Sequence, residues 1–192
     1  MITIIIPSKG RERLKFSLYS LLTQTNPNWK CIVAFDNVNE KNVSLIEDDR
    51  IKYIFLPAKH GDGNNGGGEV RNKAIQKAYT DWIGFLDDDD SFTEDYIDSF
   101  NDEIKSNPEV DVVIFKMRYD NGVVRPPEGL KTIICGQVGI SFAVNLNFLR
   151  KHNLEFVNSK IEDYELLKKL ESSGANIHFS DKIVYNVGFS SI

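Results

Sequence analysis

The sequence predicts an α/β fold built on a mostly parallel sheet. Three observations carry that reading. Ile2 to Ile6 is β-branched at every position, strand-like and helix-like segments alternate from Ile2 to Met117, and a run of four aspartates directly follows a buried strand.

Ile2 to Ile6 is apolar except for Thr3 and ends at Pro7-Ser8-Lys9-Gly10, the pattern of a central strand buried on both faces. Leu14, Leu18, Leu21 and Leu22 then recur at helical spacing until Asn26-Pro27 stops them, and Cys31 to Phe35 supplies a second strand. Ile51 to Leu56, closed by Pro57, is a third. A glycine-rich stretch from Gly61 to Gly68 leads into a helix carrying Val70, Ala74, Ile75 and Ala78, and Trp82 to Leu86 is a fourth strand. Glu94 to Lys105 reads as a helix with Ile97, Phe100 and Ile104 inward, stopped by Asn107-Pro108, and Val110 to Met117 returns to the sheet. The pattern then changes. Asp120-Asn121-Gly122 is a hairpin signal, and strand-like runs at Thr132 to Cys135 and Ile140 to Val144 predict an antiparallel or mixed portion. A last helix, Glu162 to Ser173, ends at Gly174, where a left-handed residue commonly closes a helix.

A length of 192 residues predicts one domain, 1–192, whose halves share a core. With 41% hydrophobic and 27% charged residues the chain is neither disordered nor of low complexity. Its 23 basic and 28 acidic residues leave a net charge of -5, which provides no broad electrostatic footprint for nucleic acid or an anionic membrane. Cys31 and Cys135 both lie in apolar strand-like runs, so they are expected as buried reduced thiols in a reducing, cytoplasmic setting. The N-terminal apolar run is too short for a signal sequence, and no segment approaches the roughly 20 apolar residues of a membrane span.

Asp87-Asp88-Asp89-Asp90 places four carboxylates at a strand's carboxyl end, where mutual repulsion favours a divalent cation, Mg²⁺ or Mn²⁺ by the hardness of the oxygen donors. A solvated acidic turn capping the next helix is the competing reading. Gly61 to Asn72 offers backbone N–H groups, a helix N-terminus and the forked donor of Arg71 to a diphosphate, or is a plain flexible loop. Gly61 to Gly66 also spells G-x-G-x-x-G and raises a dinucleotide-dependent oxidoreductase. Pro57 to His60 separates that motif from its strand, however, and Pro7-Ser8-Lys9-Gly10 follows the first strand, where the fingerprint belongs. Asp36, at the end of the second strand, is either a hydrogen-bond acceptor for a nucleobase or ribose, or a turn former beside Asn37. Glu162 and Asp163 open the last helix, as a general base or as ordinary partners of the helix dipole. His60, His152 and His178 have no metal-ligand spacing, and neither a P-loop nor a G-x-S-x-G motif occurs.

Thr3-Ile4-Ile5-Ile6-Pro7-Ser8, Leu21-Leu22-Thr23-Gln24-Thr25, Ile32-Val33-Ala34-Phe35-Asp36, Arg71-Asn72 and Phe85-Leu86-Asp87-Asp88-Asp89-Asp90, in that order and spacing, closely resemble family 2 glycosyltransferases of the GT-A fold. Ile161-Glu162-Asp163-Tyr164-Glu165-Leu166 is similar to that family's later acidic motif. The resemblance implies a nucleotide-sugar-binding half at about 1–117 and an acceptor half at about 118–192. It implies metal-dependent transfer of a sugar, with a UDP-sugar donor favoured, to a carbohydrate acceptor, by direct displacement with inversion. Pro7 and Ser8 would line the nucleotide pocket, Asp36 would receive the base, and Arg71 would lie near the diphosphate. Asp87 would contact ribose or sugar and share the metal with Asp89, with Asp88 beside them in the donor site. Asp163 would be the catalytic base, with Glu162 its rival one residue away. Asp36-Asn37-Val38-Asn39 replaces the family's usual Asp-Asp-Gly-Ser, which bears on the identity of the nucleobase, and no arginine- and histidine-bearing tail follows Tyr185, so closure of the donor site is expected either from a partner domain or subunit or not at all. The rival to catalysis is an inactive domain that binds a nucleotide-sugar or glycan.

Overall fold

The computed structural model describes residues 1–60 and 67–188, so the glycine motif at 61–66 lies outside the described residues. The described strands form one nine-stranded sheet. In the interior of its parallel part is β1 (Ile2–Ser8), flanked on either side by β2 (Trp29–Asp36) and β4 (Trp82–Phe85), with β3 (Ile51–Leu56) beyond β2. All four run parallel, which two-sided burial allows and the apolar runs require. Every residue of β1 is buried except Pro7, which is half-buried, and the one polar interior member, Thr3, is satisfied by the Thr80 hydroxyl at 2.7 Å. Parallel register brings the carboxyl ends of β1, β2 and β4 side by side: Ser8 faces Phe35 and Ile5 faces Phe85, so the residues that follow converge at one end.

The connections between these strands are α1 (Leu14–Leu22) and α2 (Gly68–Ile75), near the expected boundaries, although Ala78 is buried beyond the last turn of α2. Beyond β4 the sheet changes character. The two-residue strand β5 (Ser91–Phe92) leads to α3 (Tyr96–Ser106), which buries Ile97 and Phe100, and then to β6 (Val112–Tyr119). A turn with Gly122 at φ 81° connects β6 to β7 (Val124–Arg125), the hairpin that Asp120-Asn121-Gly122 predicts. β8 (Phe142–Asn145) is antiparallel to both β4 and β6 and joins the two portions. The helices α4 (Leu146–Lys151) and α5 (Glu162–Ser172) follow, and Gly174 closes the latter at φ 82°. The eleven-residue β9 (Ile177–Val187) pairs parallel to β6 and antiparallel to β5.

Two expectations need correction. Thr132 to Cys135 is not a strand: Ile133 alone of the four is buried, Gln137 N–H closes a turn onto Ile134 O, and Gly136 takes φ 74°. A four-residue apolar run hemmed by Gly129 and Gly136 is too short to specify pairing. Cys135 is consequently exposed, whereas Cys31 is buried on β2, where burial pushes its thiol well above the ordinary range. Among the described residues no helix is long and apolar enough to cross a membrane.

Gly84 shows how closely α3 is laid on β4. A Cβ there would stand 2.7 Å from the Tyr96 hydroxyl and 3.1 Å from Ile4 Cδ1, and the Tyr96 ring is fixed by stacking on Phe92 at 3.7 Å. Gly84→Ala is expected to cost about 1–3 kcal/mol by overpacking. Urea unfolding reads it, and an unchanged midpoint would contradict the close contact.

Candidate active site

The carboxyl ends of β1, β2 and β4 deliver Ser8, Asp36 and the aspartate turn to one region. After β4 the chain turns at once, with Asp90 N–H donating to Asp87 O at 3.2 Å, and Ser17 Oγ of α1 donating to the carbonyls of Asp90 (2.7 Å) and Asp87 (3.2 Å). Alternate aspartates then face different surroundings. Asp88 is buried and accepts from Ser8 Oγ (2.8 Å), Lys9 N (3.3 Å) and Arg11 (3.2 Å); burial raises its pKa although those three partners oppose the rise. Asp90 is also buried, accepting from the Tyr185 hydroxyl (2.7 Å) and Gly188 N (2.8 Å), and burial, together with the charge of Asp87, pushes it up to about 7. The side chains of Asp87 and Asp89, in contrast, are 35% and 38% exposed, and each meets an arginine: Arg71 at Asp87, Arg11 at Asp89 at 2.7 Å.

Arg71 is the buried cation of this region. It sits on α2, whose start approaches the 156–157 segment so closely that a Cβ on Gly68 would lie 2.9 Å from Phe156 Cβ and Val157 O. The guanidinium, 2% exposed, donates through Nη2 to Asp87 and through Nη1 to Glu162, and lies over the Phe156 ring at 5.5 Å. Burial pulls its pKa down, but the charges of Asp87 and Glu162 outweigh that and hold it above the usual arginine value. Glu162 is buried at the first turn of α5 and engaged by Arg71, while its neighbour Asp163 accepts Tyr164 N–H at 2.7 Å through Oδ1. Burial raises the Asp163 pKa, with the Asp87 charge adding to the rise and Arg71 opposing it.

A cavity of about 230 Å³ is lined by Arg71, Asp87, Asp90, Glu162, Asp163 and Lys160, among others. Acids of the aspartate turn and of α5, far apart in the chain, thus share one space. Pro7, Ser8, Asp36, Asp88 and Asp89 do not line it. Asp36 is buried at the end of β2, where its Oδ1 accepts His60 N–H at 2.7 Å, and Asn37 beside it takes φ 55°, a conformation asparagine tolerates. Residues 1–60 and 67–188 contain no cluster of three or more His, Cys, Asp or Glu that could hold a metal. The donors present still suit a cation that takes one or two carboxylates and fills its shell with phosphate oxygens and water: Asp87 and Asp89 are partly open hard-oxygen groups, and Arg11, opposite Asp89, is half exposed and displaceable. Sequence reasoning missed Arg11, Tyr185 and Lys160. Arg11 follows the Pro7-Ser8-Lys9-Gly10 turn and could have been found there; the other two are brought in by β9 and by the approach to α5.

A sequence profile described as Glycosyl transferase family 2 matches residues 3–180. An uncharacterized glycosyltransferase of Haemophilus influenzae is 27% identical over 186 residues, covering 88% of this chain and 62% of its own. The chain spans 62% of the length of that relative and 39% of the length of another, a Bacillus subtilis protein described as a putative teichuronic acid biosynthesis glycosyltransferase, TuaG, to which it is 27% identical over 104 residues, 51% of this chain. Among solved structures, TarS of S. aureus in complex with UDP-GlcNAc superposes with a TM-score of 0.79 at 19% identity over 97% of this chain and 58% of its own. The mannosyltransferase PcManGT of Pyrobaculum calidifontis, in complex with GDP-Man and Mn²⁺, gives 0.70 at 14% identity over 97% and 56%. At these identities the structural likeness establishes the GT-A fold that the sequence resemblance implies.

Proposed function

The chain belongs to glycosyl transferase family 2, and from that premise we propose that it transfers a sugar from a UDP-sugar to a hydroxyl of a carbohydrate acceptor, with inversion and with a divalent cation. The observation that carries the proposal is that one cavity is lined by both Asp87 and Asp163, with buried Arg71 fixed to the aspartate turn on one side and to α5 on the other. A uridine donor is supported by the UDP-GlcNAc that TarS holds, and Mn²⁺ by the ion that PcManGT holds beside GDP-Man, on the same fold.

In this reading the region about 1–117 binds the donor and the region about 118–192 the acceptor. Pro7, Ser8 and Asp36 form the nucleotide end, at the carboxyl ends of β1 and β2. Asp87 and Asp89 would hold the cation, which when bound neutralises charge on the departing diphosphate. Asp88, both of whose oxygens are engaged by the turn after β1, shapes the aspartate turn. Asp163 takes the proton of the acceptor hydroxyl as that oxygen attacks the anomeric carbon. Arg71 and Glu162 orient the two carboxylates that flank the reacting centre, and holding both substrates there removes part of the entropic barrier. The free thiols Cys31 and Cys135 support a reducing, cytoplasmic setting. A further domain or subunit that closes the donor site fits the greater length of the relatives.

Thermal denaturation with UDP, GDP, CDP and dTDP, each with Mn²⁺ and then with EDTA, tests the reading. UDP with Mn²⁺ at about 100 times its Kd is expected to raise the midpoint by roughly 5–10 °C, and EDTA to remove most of the rise. Asp89→Ala should abolish the Mn²⁺-dependent part and leave the ligand-free midpoint within about 2 °C, because Asp89 is a surface group. A protein that none of the four diphosphates stabilises is not a transferase of this kind.

A further inference from the structure

We infer that Tyr185 is a positioning residue for the aspartate turn, its hydroxyl tying the peptide N–H of Asp87 to the carboxylate of Asp90 so that the carboxylates of Asp87 and Asp89 are held in fixed directions. The inference rests on the reading of Asp87 and Asp89 as the cation-holding pair and names the group that keeps that pair in place.

The geometry is specific. Tyr185 is fully buried on β9 and packs edge-on against Phe92 with ring centroids 5.6 Å apart, at the position where β9 pairs with β5. Its hydroxyl accepts from Asp87 N at 3.2 Å and donates to Asp90 Oδ2 at 2.7 Å. The second oxygen of Asp90 accepts Gly188 N–H at 2.8 Å, so the end of β9 occupies both oxygens of that carboxylate. One oxygen atom therefore spans the turn from its first residue to its last. Ser17 holds the same turn from the other side, through the carbonyls of Asp87 and Asp90, and Ser8 anchors Asp88. The two aspartates left partly open are Asp87 and Asp89, and their backbone is fixed before any ligand arrives.

A site that supplies only two carboxylates to a hard cation depends on their direction, because the rest of the shell belongs to phosphate and water. Loss of a group that orients a metal ligand typically costs tenfold or more in metal affinity without removing a ligand. Tyr185→Phe retains the ring against Phe92 and removes only the hydroxyl, leaving Asp87 N–H and Asp90 Oδ2 without that partner. A buried hydroxyl at the opposite end of the sheet serves as the control. Thr80 bonds Thr3 Oγ1 (2.7 Å) and Trp82 O (2.8 Å) at the amino ends of β1 and β4, and Thr80→Val removes those bonds far from the turn.

The experiment titrates Mn²⁺ into each protein in the presence of UDP and follows free Mn²⁺ by electron paramagnetic resonance, with UDP binding in EDTA measured separately by calorimetry. Tyr185→Phe is expected to raise the Mn²⁺ concentration for half-saturation about tenfold, while its metal-free UDP affinity stays within about twofold of the wild type and Thr80→Val leaves both values unchanged. A Tyr185→Phe protein whose Mn²⁺ half-saturation matches the wild type, or a Thr80→Val protein that shows the same rise, overturns the inference. Wild-type protein that binds no Mn²⁺ with UDP overturns the metal-dependent reading, and this inference with it.

Discussion

Asp163→Asn is expected to lower kcat by about 10²–10⁴-fold, the range for loss of a general base, with the fold and UDP binding unchanged. Asparagine is close in size and keeps an oxygen for the Tyr164 N–H that Oδ1 now accepts, so the start of α5 stays in place. What is lost is the second carboxylate oxygen, which lies 3.5 Å from the position a Gly139 Cβ would occupy, on the lining of the cavity. Glu162 is poorly placed to substitute: it is buried, and Arg71 engages it. Glu162→Gln should therefore slow transfer far less than Asp163→Asn, and the reverse order would assign the base to Glu162. The pH dependence supplies a second test. Burial raises the Asp163 pKa, and the group acts only when deprotonated, so activity is lost as pH falls through a value above the ordinary aspartate range. That acid limb should disappear from the residual rate of Asp163→Asn. Release of UDP, with the donor selected by thermal denaturation and its acceptor, measures both.

The parallel part of the fold was legible because two-sided burial leaves a plain signature: Ile2 to Ile6, Cys31 to Phe35 and Trp82 to Leu86 are apolar runs, broken only by Thr3 and Gly84, and each became an interior strand of the sheet. β9 has no such signature. Its residues mix polar and apolar, with His178, Asp181, Lys182 and Asn186 among them, and only Ser180, Val184 and Tyr185 are fully buried. The partner strand β6 defines it, and a partner is what a single-sequence reading lacks. The same reason governs the candidate site. The aspartate run and Glu162-Asp163 stand out as residue types next to recognisable elements. Which aspartate faces inward depends on Ser8, Ser17 and Tyr185, contributed by three other elements. That Arg71 is buried between Asp87 and Glu162 is a tertiary property, which its place after a glycine-rich stretch does not show.

Arg71→Met is expected to destabilise the protein by about 3–5 kcal/mol, since it removes the buried cation that Asp87 and Glu162 both engage. The two acids do not lose equally. Asp87 is 35% exposed at its side chain and can recover water, whereas Glu162 is 5% exposed and cannot, so most of the cost belongs to Glu162. Glu162→Gln alone should cost less, about 1–3 kcal/mol, because Arg71 keeps Asp87 and the amide oxygen still accepts from Nη1. The double variant, with no carboxylate at position 162 to lose the Arg71 charge, should then be more stable than the sum of the single losses predicts, by about 0.5–3 kcal/mol. Urea unfolding of the four proteins at one pH measures this coupling. Additive losses would show that Arg71 acts mainly through Asp87 or through its packing on Phe156. A positive coupling would instead identify the Arg71–Glu162 pair as the link through which α5, and with it Asp163, is held against the aspartate turn.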